Sequence, residues 1–435
     1  MASHLHLHLL LCLLGLVAAS TAYHAELKHP FAGSNAGFRV ELQHPYAGSS
    51  LPVHEMWRRS ARASKARVAR LEARLTCNMS VPLAHISDEA YTVTVGIGTP
   101  PQPHTLIVDT ASDLTWTQCN LFNDTAKQRE PLFDPSKSSS FAFVPCSSRL
   151  CTEDNDGSKS CSNKTCRYDY GYVSVEAVGV LAHEAFSFGD NCLSFGFGCG
   201  ALTDGNLLGA FGILGMSPAV LSMVSQLAIP KFSYCLTPYA DRKSSPLFFG
   251  AWADLGRYKT TGPIQSVPIL RNPVSITFFY YVPLVGLSLG TRRLDVPAAT
   301  FALKHGGTVV DLGSTVGELA EPAFTALKEA VLHTLDLPLT NITVKDYEVC
   351  FALPSGVSMG AVQTPPLVLH FDGGADMVLP RDNYFQEPRA GLMCLAVVPG
   401  GGMSVIGNVQ QQNFHVLFDV HDSKFLFAPT NCDDI

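Results

Sequence analysis

Leu106-Ile-Val-Asp109-Thr-Ala-Ser112 is an apolar strand that delivers a carboxylate into a turn of small residues, and about two hundred residues later Thr308-Val-Val-Asp311-Leu-Gly-Ser314 repeats the arrangement. About a hundred residues beyond each stretch an apolar pair runs into glycine, as Ile213-Leu214-Gly215 and again as Val405-Ile406-Gly407. A single Asp closing a strand often does no more than bond its own loop. A duplicated pair, each member with a matching glycine-ended strand, points to two related halves that divide near residue 255, in the loop around Ala253-Asp-Leu-Gly256. An ionised Asp is costly to bury unless donors surround it, and the hydroxyls and small-residue amides that follow each Asp can supply them. If a two-fold brings Asp109 and Asp311 together, carboxylates ~3 Å apart cannot readily both ionise and would share one proton. Such a pair can activate a water for attack on a peptide carbonyl and protonate the developing oxyanion.

Outward from these strands the composition agrees. The chain of 435 residues carries 15% charged residues, 35 Gly and 28 Pro, a balance that favours short strands and tight turns in an all-β, two-lobed protein with a few short helices. Tyr91-Thr-Val-Thr-Val-Gly-Ile97 alternates as a half-buried strand and must turn at Gly98-Thr-Pro-Pro101. Helical periodicity is confined to brief stretches such as 322–332, where Pro322 can start a helix. His-Glu-x-x-His does not occur, so metalloprotease chemistry finds no motif, and no metal or cofactor is expected. Gly-x-Ser-x-Gly occurs as Gly286-Leu-Ser-Leu-Gly290 and Gly356-Val-Ser-Met-Gly360, a short pattern that on its own does not define a serine hydrolase.

Residues 1–22 read as a secretory signal: a short apolar run ending in small side chains, too short to anchor the chain in a membrane. Residues 23–84 read as a basic pro-segment, since 24–76 carries a net charge of +5 while 77–435 carries −12. Lobes at 85–255 and 256–435 follow. The opposite charge of the body speaks against nucleic acid as a partner. Thirteen cysteines become twelve once Cys12 leaves with the signal, an even number suited to disulfides in an oxidising compartment, extracellular or vacuolar. Asn78, Asn123, Asn163 and Asn341 each begin a glycosylation sequon.

Further stretches narrow the reading: Ile97-Gly-Thr-Pro-Pro-Gln-Pro103, Asp113-Leu-Thr-Trp-Thr-Gln-Cys119, Phe133-Asp-Pro-Ser-Lys-Ser-Ser-Ser140, Phe197-Gly-Cys-Gly200, Val405 through Asp419, and Phe427-Ala-Pro-Thr-Asn-Cys432. In these the chain from about Tyr91 to Cys432 resembles the plant nepenthesin-type branch of the pepsin-like aspartic proteases. The resemblance implies a bilobal pepsin-like fold and a monomeric endopeptidase acting on polypeptide substrates at acidic pH. It makes Asp109 and Asp311 the catalytic dyad, with Thr110, Ser112, Gly313 and Ser314 orienting it. It also implies a mobile hairpin over the cleft, supported by Trp116 and carrying Tyr172, with Tyr170 the rival for that role. Three departures bear on activity: Ala111 stands where the family has Gly, Leu312 where it has Ser or Thr, and the flap reads Tyr172-Val-Ser-Val. Leu312 predicts a Thr110 hydroxyl facing an apolar partner and left unsatisfied. The alternative these departures support is a silent protease-like binding protein of the cell wall. Cysteines usual in the family after Cys119 are missing, so Cys119 needs another partner, with Cys77 or a free thiol as the choices.

Overall fold

The computed structural model describes residues 79–86, 90–121, 131–153, 158–171, 175–189, 191–241, 243–272, 279–340, 342, 344 and 347–435. The signal segment, most of the basic segment, Cys77, Asn78, Asn123, Tyr172 and Asn341 lie outside them.

The body is all-β with few short helices, as its sequence predicts. Its spine is a run of six strands to which both halves contribute, in the order Gln265–Pro268, Lys424–Pro429, Phe414–Asp419, Lys231–Cys235, Ser245–Phe249 and Met79–Ile86. The central pair is antiparallel, from Lys231 opposite Asp419 to Cys235 opposite His415. The Cys235–Cys432 disulfide staples the two halves beside it. Residues 79–84, which the sequence reading puts at the end of the pro-segment, are strand here, with Met79 to Leu83 paired to Phe249 to Ser245.

Each half carries its Asp on an apolar strand inside its own sheet. Gln102–Asp109 buries Leu106 and Val108 completely, runs antiparallel to Ala90–Ile97 and parallel to Gly212–Gly215. Its counterpart Thr308–Val310 is parallel to Ser404–Ile406. The turn predicted at Gly98 forms, with Gly98 at φ 97° between the two strands. The helix expected over 322–332 runs from Glu321 to Thr334 with Pro322 in its first turn, and buries Ala323, Phe324, Leu327, Ala330 and Val331 along one stripe.

The Ser- and Cys-rich region 119–166 contains, among its described residues, short elements held by covalent bridges. Cys146–Cys161 and Cys151–Cys166 close it on itself, and Cys119 pairs with Cys199 on the neighbouring strand. Neither alternative for Cys119, Cys77 or a free thiol, holds. Among the described cysteines Cys192 is outside a disulfide. Asn163 is exposed in the left-handed turn between Lys159–Ser162 and Thr165–Gly171, with φ 51°. No helix among the described residues is long and apolar enough to cross a membrane.

His415 lies fully buried in the central sheet, its Nε2 3.0 Å from Ser233 Oγ and its ring against Phe248 and Tyr258. Burial lowers its pKa to about 4. The folded form therefore resists a proton that the unfolded chain accepts near pH 6.5, and stability falls as pH drops from about 6.5 to about 4. His415→Gln, which keeps a neutral partner for Ser233, is expected to flatten that decline by up to roughly 3 kcal/mol, read from urea midpoints measured across this window.

Candidate active site

Asp109 and Asp311 converge at the carboxyl ends of their strands, with the two carboxyl groups within hydrogen-bonding reach of each other. Around Asp109 the turn folds back on the side chain. Ala111 N–H and Ser112 N–H donate to Oδ1 at 2.7 and 3.0 Å, and the Ser112 hydroxyl donates to Oδ2. Asp311 receives Gly313 N–H at 2.8 Å and the Ser314 hydroxyl at 2.6 Å. The methyl of Ala111 does not prevent its amide from facing the carboxylate.

The paired glycines have a steric reason. A side chain on Gly215 would strike the carbonyl of Asp113, and one on Gly407 the carbonyl of Val316. Each glycine-ended strand thus lets the loop that follows its Asp cross close above it. The crossing is pinned by Ser217 N–H to Ser112 O at 3.0 Å in one half and by Asn408 N–H to Ser314 O at 2.7 Å in the other. Gly313 is constrained by the opposite half: a methyl there would lie 2.7 to 3.0 Å from the carboxylate atoms of Asp109.

Thr110 corrects a sequence expectation. Its hydroxyl is buried yet satisfied, accepting Leu312 N–H at 2.9 Å and donating to Val310 O at 3.3 Å. Both partners are backbone groups flanking Asp311, so the grip needs no hydroxyl at position 312. Leu312 is fully buried within the main core cluster, and its carbonyl accepts from Asn408 Nδ2 at 3.2 Å. Thr110→Val would leave Leu312 N–H without its acceptor, so a loss of about 1–3 kcal/mol in thermal unfolding is expected, with Thr110→Ser restoring most of it.

Two supports escaped the sequence reading. Gln411 is completely buried and donates to the carbonyls of Asp311, Ile406 and Gly407 at 3.1, 2.9 and 3.1 Å, which fixes the backbone beneath the second carboxylate. Tyr280, from the carboxyl half, donates to Met216 O at 2.7 Å, while Met216 N–H donates to Asp109 O at 2.9 Å. The signal for Gln411 was available, as a polar triplet Gln410-Gln411-Gln412 set among apolar strand residues. Nothing local marked Tyr280.

The hairpin formed by Thr165–Gly171 and Val175–Phe188 leads up to Gly171 opposite Glu176. Tyr172 lies in its connecting segment, outside the described residues. Tyr170 reaches Asp113, its hydroxyl 3.3 Å from Oδ2, and packs in one cluster with Tyr168 and the fully buried Trp116.

Electrostatics separate the two carboxyls. Burial, then the charge of Asp109, pushes Asp311 up to about 7 against the pull of the Ser314 hydroxyl and the Gly313 amide. Burial raises Asp109 as well, but the Ser112 hydroxyl, the Ala111 and Ser112 amides and a hydrogen bond from Asp311 oppose it. Both carboxyls are thus raised, chiefly by burial, and in acid the pair holds one proton between them.

Two mirrored strand-and-glycine units, joined by a shared sheet and presenting carboxyls to each other, define an aspartic-protease-type bilobal scaffold. The chain belongs to the pepsin-like aspartic protease family, in its nepenthesin-type branch. It is 36% identical over 415 residues to aspartic proteinase nepenthesin-1 of Nepenthes gracilis, covering 93% of each chain. Nepenthesin-2 of the same organism matches at 32% over 423 residues, covering 95% of this chain and 94% of that one. Aspartyl protease 37 of Oryza sativa subsp. japonica matches at 32%, covering 88% and 90%. The family descriptions "Xylanase inhibitor N-terminal" and "Xylanase inhibitor C-terminal" match residues 91–251 and 279–429. Among solved structures, the fold is similar to that titled edgp, with a TM-score of 0.64 at 19% identity over 82% of this chain and 97% of that one.

Proposed function

We propose that the chain is an aspartic-type endopeptidase that hydrolyses polypeptides at acidic pH, with Asp109 as the ionised base and Asp311 as the protonated acid. The observation that carries this reading is the meeting of the two carboxyls, each gripped by its own turn: three donors on Asp109 and two on Asp311. Asp109 takes a proton from a water held between the carboxyls, the water oxygen attacks the peptide carbonyl, and Asp311 gives its proton to the carbonyl oxygen. Thr110, Ser112, Gly313 and Ser314 hold the dyad. Tyr172 belongs to the flap over the cleft, and Tyr170 and Trp116 support the base of that hairpin.

The disulfides and the basic leader support a secreted zymogen, extracellular or vacuolar, in which residues 1–22 direct export. The leader covers the acidic body by charge until acid neutralises its carboxylates. Asn163, the one of the four glycan acceptors among the described residues, is exposed in its turn, as an acceptor must be. Acid-treated protein should degrade denatured globin, and pepstatin should stop it. Pure, folded protein with no such activity would overturn the reading in favour of a silent binding protein on the same scaffold.

A further inference from the structure

The carboxyl half contains a second ordered chain of polar side chains, on a sheet that does not carry the dyad. Leu284–Leu289 lies between Arg292–Arg293 and Leu367–Phe371, and Leu367–Phe371 pairs in turn with Asp376–Leu379. Leu287 and Leu289 are buried in the main core, so Gly286 and Ser288, which alternate with them, fall on the opposite face of the sheet, where Ser288 is still largely covered. On that face Ser288 Oγ is 2.7 Å from His370 Nε2, and His370 Nδ1 is 2.7 Å from Asp376 Oδ1. The carboxylate is itself positioned, because Gln265 clamps residue 376 from both sides: its Nε2 donates to Asp376 O at 2.6 Å and its Oε1 accepts Asp376 N–H at 2.8 Å. Arg293 sits opposite Ser288, and its guanidinium occupies the space that any side chain on Gly286 would fill, with one donor directed to Val285 O at 3.4 Å. Gly286 is in turn the cross-strand neighbour of His370.

A hydroxyl bonded to an imidazole, whose other nitrogen is held by a fixed carboxylate, is the arrangement that activates a serine nucleophile. The guanidinium of its cross-strand partner Arg293, lying over Gly286, would supply donors for negative charge that develops on this face. We propose that Ser288, His370 and Asp376, with Arg293 as the oxyanion donor, form a second nucleophilic site that accepts the acyl group of small carboxylic esters. In the first step Ser288 Oγ bonds to the ester carbonyl carbon while its proton passes to His370 Nε2. The carbon–oxygen bond to the leaving alcohol breaks and that alcohol takes the proton from His370. A water, deprotonated by His370, then releases the carboxylic acid and restores the serine. Ser288 is only 7% exposed, which suits small esters.

The test uses the full chain carrying Asp109→Asn, so that acid proteolysis is absent, and an alkyl fluorophosphonate as the probe at about pH 8. There Ser288 forms a phosphorus–oxygen bond as fluoride leaves. The expected result is a single adduct mapped to Ser288, with His370→Gln slowing its formation on the order of 100-fold and Asp376→Asn slowing it as well. Ser288→Ala in the chain with Asp109 intact should lose p-nitrophenyl acetate hydrolysis and keep globin hydrolysis. No adduct, an adduct only on other serines, or an unchanged rate in a folded His370→Gln protein would overturn the proposal. Should that variant fail to fold, an adduct rate in the parent that stays flat from about pH 5 to about pH 8 would overturn it equally.

Discussion

Asp109→Asn is expected to reduce hydrolysis of denatured globin at acidic pH on the order of 1,000-fold, since it removes the only group in the pair that can accept the water's proton. Asp311→Asn should lose activity to a similar degree, because the amide has no acidic proton to give, but the two variants part in their stability. The pKa of Asp311 is raised to about 7 in the folded protein. A carboxyl whose folded pKa exceeds its unfolded value contributes stability that is fully present below the ordinary carboxylate range and is lost as pH rises through the folded pKa. The contribution of Asp311 should therefore decline between about pH 4 and about pH 7, opposite in sign to that of His415, and activity should fall over the upper part of the same window as the shared proton leaves. Asparagine at 311 is neutral throughout and should remove much of that decline. Differential scanning calorimetry of the parent and of Asp311→Asn at a series of pH values reads this directly, and a difference between the two that stays constant across this window would contradict it.

Gly313→Ala is expected to be nearly as damaging to catalysis, for a geometric reason. The added methyl would lie 2.7 Å from Asp109 Cγ and 2.8 and 3.0 Å from its oxygens, closer than van der Waals contact allows. One carboxyl must move, and displacement of reacting groups by about 1 Å costs on the order of 100-fold in rate. The effect should appear in kcat more than in KM, with a thermal midpoint close to that of the parent, because a tip residue and not a core is disturbed. The Ala111 position in the other half already carries such a methyl, and its amide still donates to Asp109. A Gly313→Ala enzyme with unchanged kcat would show that the pair tolerates the same burden on both sides.

The halves, their strands and both carboxylates were legible because they rest on local patterns: apolar runs of strand length, an Asp at the end, glycine where backbones cross. What eluded sequence reading depends on pairs far apart in the chain. Thr110 and Leu312 are 202 residues apart, and the hydroxyl's use of the Leu312 amide instead of a side chain cannot be inferred from the identity of residue 312. The Cys119–Cys199 bridge spans 80 residues and follows from the parallel pairing of Trp116–Gln118 with Gly198–Gly200, which spacing does not reveal. Gln411 was readable as an anomaly and its role was not, since three carbonyls from two separate segments had to meet its amide. Ser288 is centred in Gly286-Leu-Ser-Leu-Gly290, but nothing in the sequence ties it to His370 and Asp376, which it meets only through the register of three strands.

The spine strand that begins at Met79 sets a limit on maturation. Its pairing from Met79 to Leu83 covers one flank of Ser245–Phe249. A processing protease that cut after Leu83 would uncover that flank as a bare row of amides and carbonyls, a template for chain-to-chain association. A cut ahead of Met79, by contrast, would leave that flank paired and create no adhesive margin.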